Sequence, residues 1–111
     1  MDVVILGASG YGGGELLRLL ASHPRLRSVS CMSRQHVGKS IGAVHPNLRG
    51  IVTGVFVAAP DWAALAQSDC PVLFAAMPHG EFARQLLQLE QQWRDHGLDR
   101  KLTFIDLSGD F

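Results

Sequence analysis

Cysteine is scarce in this chain, whose 111 residues include only Cys31 and Cys70. Two cysteines form neither a CxxC pair nor a dense disulfide framework, which argues against a small secreted scaffold held by disulfides. No apolar run approaches the roughly 20 residues that a membrane-spanning helix needs. The first apolar run, Val3 to Leu6, is too short for the core of a secretory signal peptide. We therefore expect a cytoplasmic protein with reduced, buried thiols and no membrane contact.

Net charge is also absent, because ten lysines and arginines balance ten aspartates and glutamates. This balance disfavours a nucleic-acid binder that works through bulk positive charge. The charges are unevenly placed, however, since residues 16–60 contain no acid. The bases in that stretch are Arg18, Arg25, Arg27, Arg34, Lys39 and Arg49. The asymmetry indicates either a solvated basic surface or an anionic ligand bound by the first half of the chain.

Apolar runs and helical patterns alternate along the chain. Short β-branched runs predict five strands, over residues 3–6, 28–33, 51–59, 72–77 and 102–107. Apolar spacing predicts helices over residues 15–22, 60–67 and 81–96. Residues 34–50 lack a clear period and predict a long loop that is functional or mobile. The alternation is typical of a doubly wound parallel α/β sheet, and we predict one Rossmann-type dinucleotide-binding domain over residues 1–111.

The turn after the first predicted strand carries the spacing G-x-x-G-x-x-G, from Gly7 to Gly13. A pyrophosphate must approach the main chain closely, and the N–H groups that open the next helix then face its oxygens. We expect Gly7 to form the tight turn, Gly10 to admit the phosphate and Gly13 to let the helix pack closely. The other residues that we place in this binding turn are Ser9, Tyr11 and Gly12. A tight β–α connection without any ligand is the alternative that the spacing leaves open.

The end of the second predicted strand distinguishes NADP from NAD. An NAD site places an acid there to hold the ribose 2′-hydroxyl, whereas this chain has Ser33 and Arg34. Arg34 can pair with a 2′-phosphate and stack on the adenine, Ser33 can donate to the phosphate, and Lys39 is a possible second cation. The residues therefore favour NADP(H) as the cofactor. The alternative is an exposed arginine at a strand end.

Pro78, His79 and Gly80 follow the fourth predicted strand, where a doubly wound sheet faces its ligand. His79 can contact the ribose or nicotinamide side of the cofactor, or it can cap a turn. The other histidines show no metal-ligand spacing, so we predict no metal site and surface or loop positions for His23, His36, His45 and His96. Neither cysteine has a base beside it in the sequence, which favours structural thiols over a nucleophile.

The order of these motifs resembles the N-terminal domain of the N-acetyl-gamma-glutamyl-phosphate reductases, in the semialdehyde dehydrogenase superfamily. The matching segments lie at residues 7–11 with 15–24, 33–34, 38–50, 78–80 and 105–108, and together they cover essentially the whole chain. The resemblance implies NADPH-dependent reduction of N-acetyl-gamma-glutamyl phosphate to the semialdehyde, with phosphate release, in arginine biosynthesis. Small departures from the family pattern occur at Gly12, Gly14 and Gly109.

The resemblance also implies where the catalytic residues lie. In the family a cysteine attacks the acyl phosphate, hydride reduces the resulting thioester and a histidine acts as acid and base. Both residues lie in stretches of the family sequence beyond the position of Phe111, so we expect no catalytic residue here. We expect the cofactor-binding half of a two-domain enzyme, truncated before the catalytic domain. The full enzyme would be a homo-oligomer acting on a small acyl phosphate, and this chain alone would bind NADP(H) without turnover.

Three other functions remain open at this point. The chain could belong to a related semialdehyde dehydrogenase that acts on aspartyl phosphate or on carrier-bound aminoadipyl phosphate. The motifs at 33–34 and 78–80 favour the glutamyl over the aspartyl branch but separate it poorly from the aminoadipyl branch. A non-catalytic NADP-binding module is the second alternative. Nucleic-acid binding through the basic stretch is the third and the least favoured.

Overall fold

The computed structural model describes residues 1–78 and 80–107. Four strands form one sheet in the order β2-β1-β3-β4, and every neighbouring pair is parallel. The strands are β1 (Asp2–Leu6), β2 (Ser28–Met32), β3 (Pro71–Ala75) and β4 (Thr103–Asp106). The helices are α1 (Tyr11–Leu20), α2 (Ile41–Val44), α3 (Trp62–Ala66) and α4 (Glu81–Asp95), with a 3-10 turn at Pro46–Leu48. The parallel order confirms the predicted doubly wound α/β fold.

Alternate residues of the central strand β1 face opposite sides of the sheet. Val3 and Ile5 lie in one buried cluster with Leu17 of α1. Val4 and Leu6 belong to a second cluster, which includes residues of α3 and α4. Because helices cover both faces, the two central strands β1 and β3 are apolar at nearly every position, as expected for buried parallel strands. None of the helices that the structure describes is long and apolar enough to cross a membrane.

The predicted strand over residues 51–59 is wrong. Its contact with β2 is a single parallel bridge, in which Val57 N–H donates to the Cys31 carbonyl at 2.9 Å. The main chain nearby bonds instead to the preceding loop, since Phe56 N–H donates to the Lys39 carbonyl at 3.0 Å. Gly54 also has a positive φ of 107°, which interrupts extended geometry. Phe56 is the one buried residue of the segment 51–59, so the segment has a single anchor in the core and no ladder of hydrogen bonds to a neighbouring strand.

Residues 34–50 are more regular than the predicted loop. Ser40 caps α2 by accepting a hydrogen bond from Ala43 N–H at 3.2 Å. Pro46 starts the 3-10 turn, at a position where its missing N–H costs nothing. Ile41 and Leu48 anchor the two short helical pieces in the core. Each piece is too short to show a period in the sequence, which explains why the pattern predicted an irregular segment.

Helix α1 begins at Tyr11, four residues before the predicted start, so three glycines lie inside it. Gly13 faces the turn, and a Cβ added there would lie 2.7 Å from Ala8 Cα. Gly7 has a φ of 77°, and an added Cβ would lie 2.8 Å from Met77 Cα. A Cβ at Gly12 would meet nothing within 4 Å. Close packing of the β1–α1 connection therefore requires Gly7 and Gly13 but not Gly12.

The neighbouring glycines of α1 provide a matched test of this packing. Gly13→Ala forces the helix away from the turn, and we expect a loss of about 1–3 kcal/mol in the free energy of unfolding. Gly12→Ala adds a better helix former in open space and should raise the same free energy by up to about 1 kcal/mol. Urea unfolding of both variants of the 111-residue chain measures the difference. Equal midpoints would show that the helix does not need the close approach.

Asp2 connects the amino end of β1 to two neighbouring segments. Ser28 Oγ donates to one carboxylate oxygen at 2.6 Å, and Ser68 Oγ donates to the other. Arg27 Nε lies 3.5 Å from the same carboxylate. The hydrogen bond from Ser28, then that from Ser68 and the charge of Arg27, hold the pKa of Asp2 below its usual value. The ionised carboxylate therefore stabilises the folded chain.

This lowered pKa predicts how stability depends on pH. Above the unfolded pKa of about 3.9 the contribution of Asp2 is complete, and it disappears as the pH falls through the lower folded pKa. Asp2→Asn should cost about 1–3 kcal/mol at neutral pH, and less once the parent carboxylate is protonated. Unfolding measured from pH 7 down to pH 3 checks this, with the exposed Asp69→Asn as control. A constant difference between parent and D2N across that range would contradict the assignment.

Candidate functional site

A cleft of about 330 Å³ opens at the carboxyl ends of β1, β2 and β3. The volume falls within the range of small-molecule sites. Its walls come from Gly7 and Ser9–Gly12 after β1, Met32–Gln35 after β2, Ala76–Pro78 after β3, and Glu81 and Gln85 of α4. The topology therefore brings together three chain segments that lie far apart in the sequence, as doubly wound sheets do at their ligand crevice.

Most of the residues that the sequence placed in the binding site line this cleft. They are Gly7, Ser9, Gly10, Tyr11, Gly12, Ser33, Arg34 and Pro78. Gly13 lies buried beneath the turn, where it sets the helix packing. Gly80 has a φ of 84° and precedes α4, but it is not part of the cleft wall. His79 lies outside the described residues, as does the segment 108–111.

Main-chain hydrogen bonds hold the glycine-rich turn against β2. The N–H groups of Gly7 and Ala8 both donate to the Met32 carbonyl, each at 3.0 Å. The first turn of α1 follows at once, and its first N–H groups have no intrahelical acceptor. The helix dipole adds positive potential at the same end. The turn can therefore hold an anion through main-chain donors.

The hydroxyl groups of Ser9 and Ser33 tie the glycine-rich turn to the end of β2. Ser33 Oγ donates to Ser9 Oγ at 2.9 Å, and His36 Nδ1 lies 3.4 Å from Ser33 Oγ. Ser33 is only 5% exposed. Its hydroxyl therefore joins two walls of the cleft, and its donation to a phosphate stays a prediction.

Arg34 extends from the end of β2 towards α4. Its side chain is exposed, and Nη2 donates to Gln85 Oε1 at 3.3 Å. Both residues line the cleft, so this contact joins two of its walls. Gln85 gave no signal in the sequence because it lies 51 positions from Arg34. Lys39, the possible second cation, is exposed but does not line the cleft.

The other bases of the acid-free stretch are dispersed. Arg18 pairs with Glu15 at 2.9 Å, and Arg27 lies 3.5 Å from Asp2. An exposed pair such as that of Arg18 with Glu15 contributes little to stability. Of the six bases in residues 16–60, all of which the structure describes, Arg34 is the one that lines the cleft. The sequence asymmetry is thus mostly solvated surface, with one cation at the candidate site.

His45, predicted as a surface or loop residue, lies in the connection between α2 and the 3-10 turn but is buried rather than on the surface. Its side chain is 9% exposed, and Nε2 lies 2.8 Å from the Ala8 carbonyl in the glycine-rich turn. A Cβ added at Gly14 would lie 2.7 Å from the ring, so the glycine makes room for it. His45 lies between two short helical pieces that the sequence pattern missed. His23 and His96 are exposed, as predicted.

The two cysteines differ in their surroundings, and neither lines the cleft. Cys31 is buried in β2, and burial raises the pKa of its thiol to about 12. Cys70 is exposed immediately before the amino end of β3, so its predicted burial is wrong. The cleft lies at the opposite, carboxyl ends of the strands. Among the described residues, no group of three or more histidine, cysteine or acidic side chains could hold a metal ion.

Comparison with known proteins agrees with this architecture. A family model for the semialdehyde dehydrogenase NAD-binding domain matches residues 2–111. The N-acetyl-gamma-glutamyl-phosphate reductase of Methanothrix thermoacetophila is 42% identical over 111 residues, which are 100% of this chain and 30% of the relative. The reductase of the same name from Salinispora arenicola is 43% identical over 103 residues, 91% of this chain and 30% of the relative.

A relative named for different substrates has a similar identity. The LysW-L-2-aminoadipate/LysW-L-glutamate phosphate reductase of Saccharolobus solfataricus is 38% identical over 110 residues, 98% of this chain and 28% of the relative. The chain thus spans about 30% of the length of the curated relatives it matches. The family model covers nearly every residue, including the whole wall of the cleft. The chain therefore belongs to the semialdehyde dehydrogenase family and corresponds to its NAD-binding domain.

Proposed function

We propose that this chain binds NADP(H) in the cleft, as the cofactor-binding part of an enzyme that reduces an acyl phosphate to an aldehyde. The observation that carries the proposal is the position of Arg34. Its exposed guanidinium lines the cleft at the end of β2, where an NAD-specific site would place a carboxylate. A guanidinium matches the charge and the planar fork of hydrogen bonds that a 2′-phosphate accepts.

The glycines of the turn support binding of a dinucleotide. Packing within the chain accounts for Gly7, Gly13 and Gly14, because a Cβ at each would lie within 2.8 Å of neighbouring atoms. It does not account for Gly10 or Gly12, where the nearest atom to an added Cβ is 3.8 Å away or more than 4 Å away. Both residues line the cleft. Their missing side chains leave the main chain open to a close ligand such as a pyrophosphate.

Each wall of the cleft would then bind or position a different part of the cofactor. The main-chain N–H groups that open α1 would hold the pyrophosphate. Arg34 would bind the 2′-phosphate, and Ser33 would keep the glycine-rich turn beside the end of β2 through its bond to Ser9. Residues Ala76–Pro78 line the wall after β3, which we assign to the ribose and nicotinamide side. Bound NADPH would supply the hydride for the reduction.

The reduction itself needs a nucleophile that this chain does not place at the cleft. The Cys31 thiol is buried and has a strongly raised pKa, while Cys70 lies at the far end of the sheet. A thiolate nucleophile must be exposed and deprotonated. We therefore propose that the catalytic cysteine and histidine lie outside these 111 residues, in the remaining length that the relatives have.

The proposed substrate is N-acetyl-gamma-glutamyl phosphate. Support comes from relatives of that name, which are 42% and 43% identical to this chain. A carrier-bound aminoadipyl or glutamyl phosphate is the second candidate, because a reductase named for those substrates is 38% identical. Both candidates are acyl phosphates, so the proposed reaction class is the same for either.

Arg34→Ala tests the choice of cofactor. The loss of charge-assisted hydrogen bonds worth about 1.5–3 kcal/mol should weaken NADPH binding by about tenfold to a hundredfold. NADH affinity should fall much less, since NADH keeps the adenine on which Arg34 can stack but has no 2′-phosphate. Isothermal titration of the 111-residue chain with each nucleotide measures both effects, and the exposed Arg25→Ala is the matched control. An R34A chain that bound NADPH as tightly as its parent would refute the placement of the phosphate.

A separate experiment tests the proposal that the catalytic nucleophile lies outside these 111 residues. We expect the 111-residue chain to bind NADP⁺ without reducing it when N-acetylglutamate semialdehyde and phosphate are added. The reason is that neither thiol is both reactive and near the cleft. The absorbance of NADPH follows the reaction. Phosphate-dependent formation of NADPH would contradict the proposal that the nucleophile lies elsewhere.

A further inference from the structure

The buried histidine beneath the glycine-rich turn has no role in the function proposed so far. His45 is 9% exposed, and its Nε2 lies 2.8 Å from the carbonyl oxygen of Ala8. A carbonyl oxygen can only accept, so the proton of this hydrogen bond is on Nε2. His45 is therefore a side-chain donor to the main chain of the turn, supplied from 37 positions further along the chain.

The local main chain fixes the position of this side chain. His45 N–H donates to the Ile41 carbonyl at 2.8 Å, and the His45 carbonyl accepts from Leu48 N–H at 2.9 Å. Ile41 and Leu48 are buried, so this corner between α2 and the 3-10 turn is anchored in the core. The Phe56 ring packs against the imidazole edge at a centroid distance of 6.2 Å. The main-chain N–H and carbonyl of His45 are therefore both hydrogen-bonded, and this fixes the position from which the imidazole extends.

Gly14 completes the pocket for the imidazole. An added Cβ at this position would lie 2.7 Å from Cε1 and 2.8 Å from Nδ1 of His45. Gly14 lies inside α1, where glycine costs up to about 1 kcal/mol relative to alanine. It does not line the cleft, so a ligand does not explain it. The space that the His45 ring occupies does explain this glycine.

The peptide between Ala8 and Ser9 connects this hydrogen bond to the cleft. In a trans peptide the C=O and the following N–H point in opposite directions. Because His45 holds the Ala8 carbonyl on its own side of the turn, the Ser9 N–H points the other way. Ser9 lines the cleft. The neighbouring Ala8 N–H is fixed as well, by its bond to the Met32 carbonyl at 3.0 Å.

We infer that His45 is a positioning residue for the phosphate-binding turn. Its Nε2–H holds the Ala8 carbonyl away from the ligand and so directs the Ser9 N–H towards the pyrophosphate. Without this donor the Ala8 carbonyl loses the hydrogen bond that opposes rotation of the peptide, and a rotated peptide would present a carbonyl oxygen to the phosphate and repel it. The inference rests on the proposed binding of NADP(H) and adds a residue that touches neither the cofactor nor the cleft wall.

The test compares three variants of the 111-residue chain with the parent. His45→Leu fills the pocket without a donor, and His45→Gln keeps an N–H donor at similar reach. His96→Leu is the matched control, since exposed His96 also lies 2.8 Å from a main-chain carbonyl, that of Gln92. Each chain is titrated with NADPH and with adenosine 2′-monophosphate, which carries the 2′-phosphate but no pyrophosphate. NMR follows the Ser9 and Gly10 amides without ligand.

We expect H45L to weaken NADPH binding by about tenfold while its affinity for adenosine 2′-monophosphate stays unchanged. H45Q should recover NADPH affinity to within about threefold, and H96L should behave like the parent. The Ser9 amide resonance should move in H45L but not in H96L. A folded H45L chain that binds NADPH like the parent, or that loses both ligands equally, would overturn the positioning role.

Two further comparisons distinguish failure of this inference from failure of the variant to fold and from failure of the proposed function. If H45L does not fold, Gly14→Ala displaces the ring without removing its donor, and it should show the same split between the two ligands. Unchanged NADPH affinity in folded G14A would count against the inference. If the parent binds neither ligand, the proposed function fails. The Ser9 amide of the ligand-free variants then decides the positioning role by itself.

Discussion

The parallel register of β1 with both of its neighbours is the constraint on which the rest of this molecule depends. Leu6, the last residue of β1, pairs with Met32 on one side and with Ala75 on the other. Three strands therefore end at one level, and the turns that follow them meet along one edge. The cleft exists because of this alignment. Asp2 fastens the opposite edge through Ser28 and Ser68.

The glycine-rich turn meets two different demands at that edge. Gly7 and Gly13 are required by the chain itself, because the turn passes close to Met77 and because α1 packs onto Ala8. At Gly10 an added Cβ would make only an ordinary contact, 3.8 Å from the Gly7 carbonyl oxygen, and at Gly12 it would meet nothing within 4 Å. A motif that looks uniform in the sequence thus divides into glycines needed for packing and glycines that leave a surface clear. The second group is the one that bears on ligand binding.

The site is also held by contacts that cross long distances in the sequence. Ser33 bonds to Ser9, Arg34 to Gln85, and His45 to the Ala8 carbonyl. Each contact connects one wall of the cleft to another wall or to its support. Binding sites gain precision when surrounding residues hold the groups that touch the ligand. Within segment 34–50, His45 supplies this support to the turn and Arg34 contacts α4.

Elements with strong local signals could be predicted from the sequence. The apolar spacing over residues 81–96 predicted α4 closely, and the apolar run before Gly7 predicted β1. The predicted third strand is wrong because the composition of residues 51–59 indicates only that the segment is partly buried. It does not indicate whether a neighbouring strand pairs with it. The Phe56 N–H donates to Lys39 and its carbonyl accepts from Gly38, so neither group bonds to β2, which no local pattern could reveal. The exposure of Cys70 depends in the same way on its place in the fold.

The sequence by itself determined the alternation of strands and helices, the glycine-rich turn after the first strand, and Ser33 with Arg34 after the second. These features depend on side-chain spacing and backbone freedom over a few residues, so local order suffices to specify them. Tertiary structure alone decided that Gln85 faces Arg34, that Ser33 binds Ser9, and that His45 is buried beneath Ala8. Each of these contacts depends on which distant segments the parallel sheet brings together. That arrangement depends on how the apolar residues of the whole chain are buried, not on any local pattern.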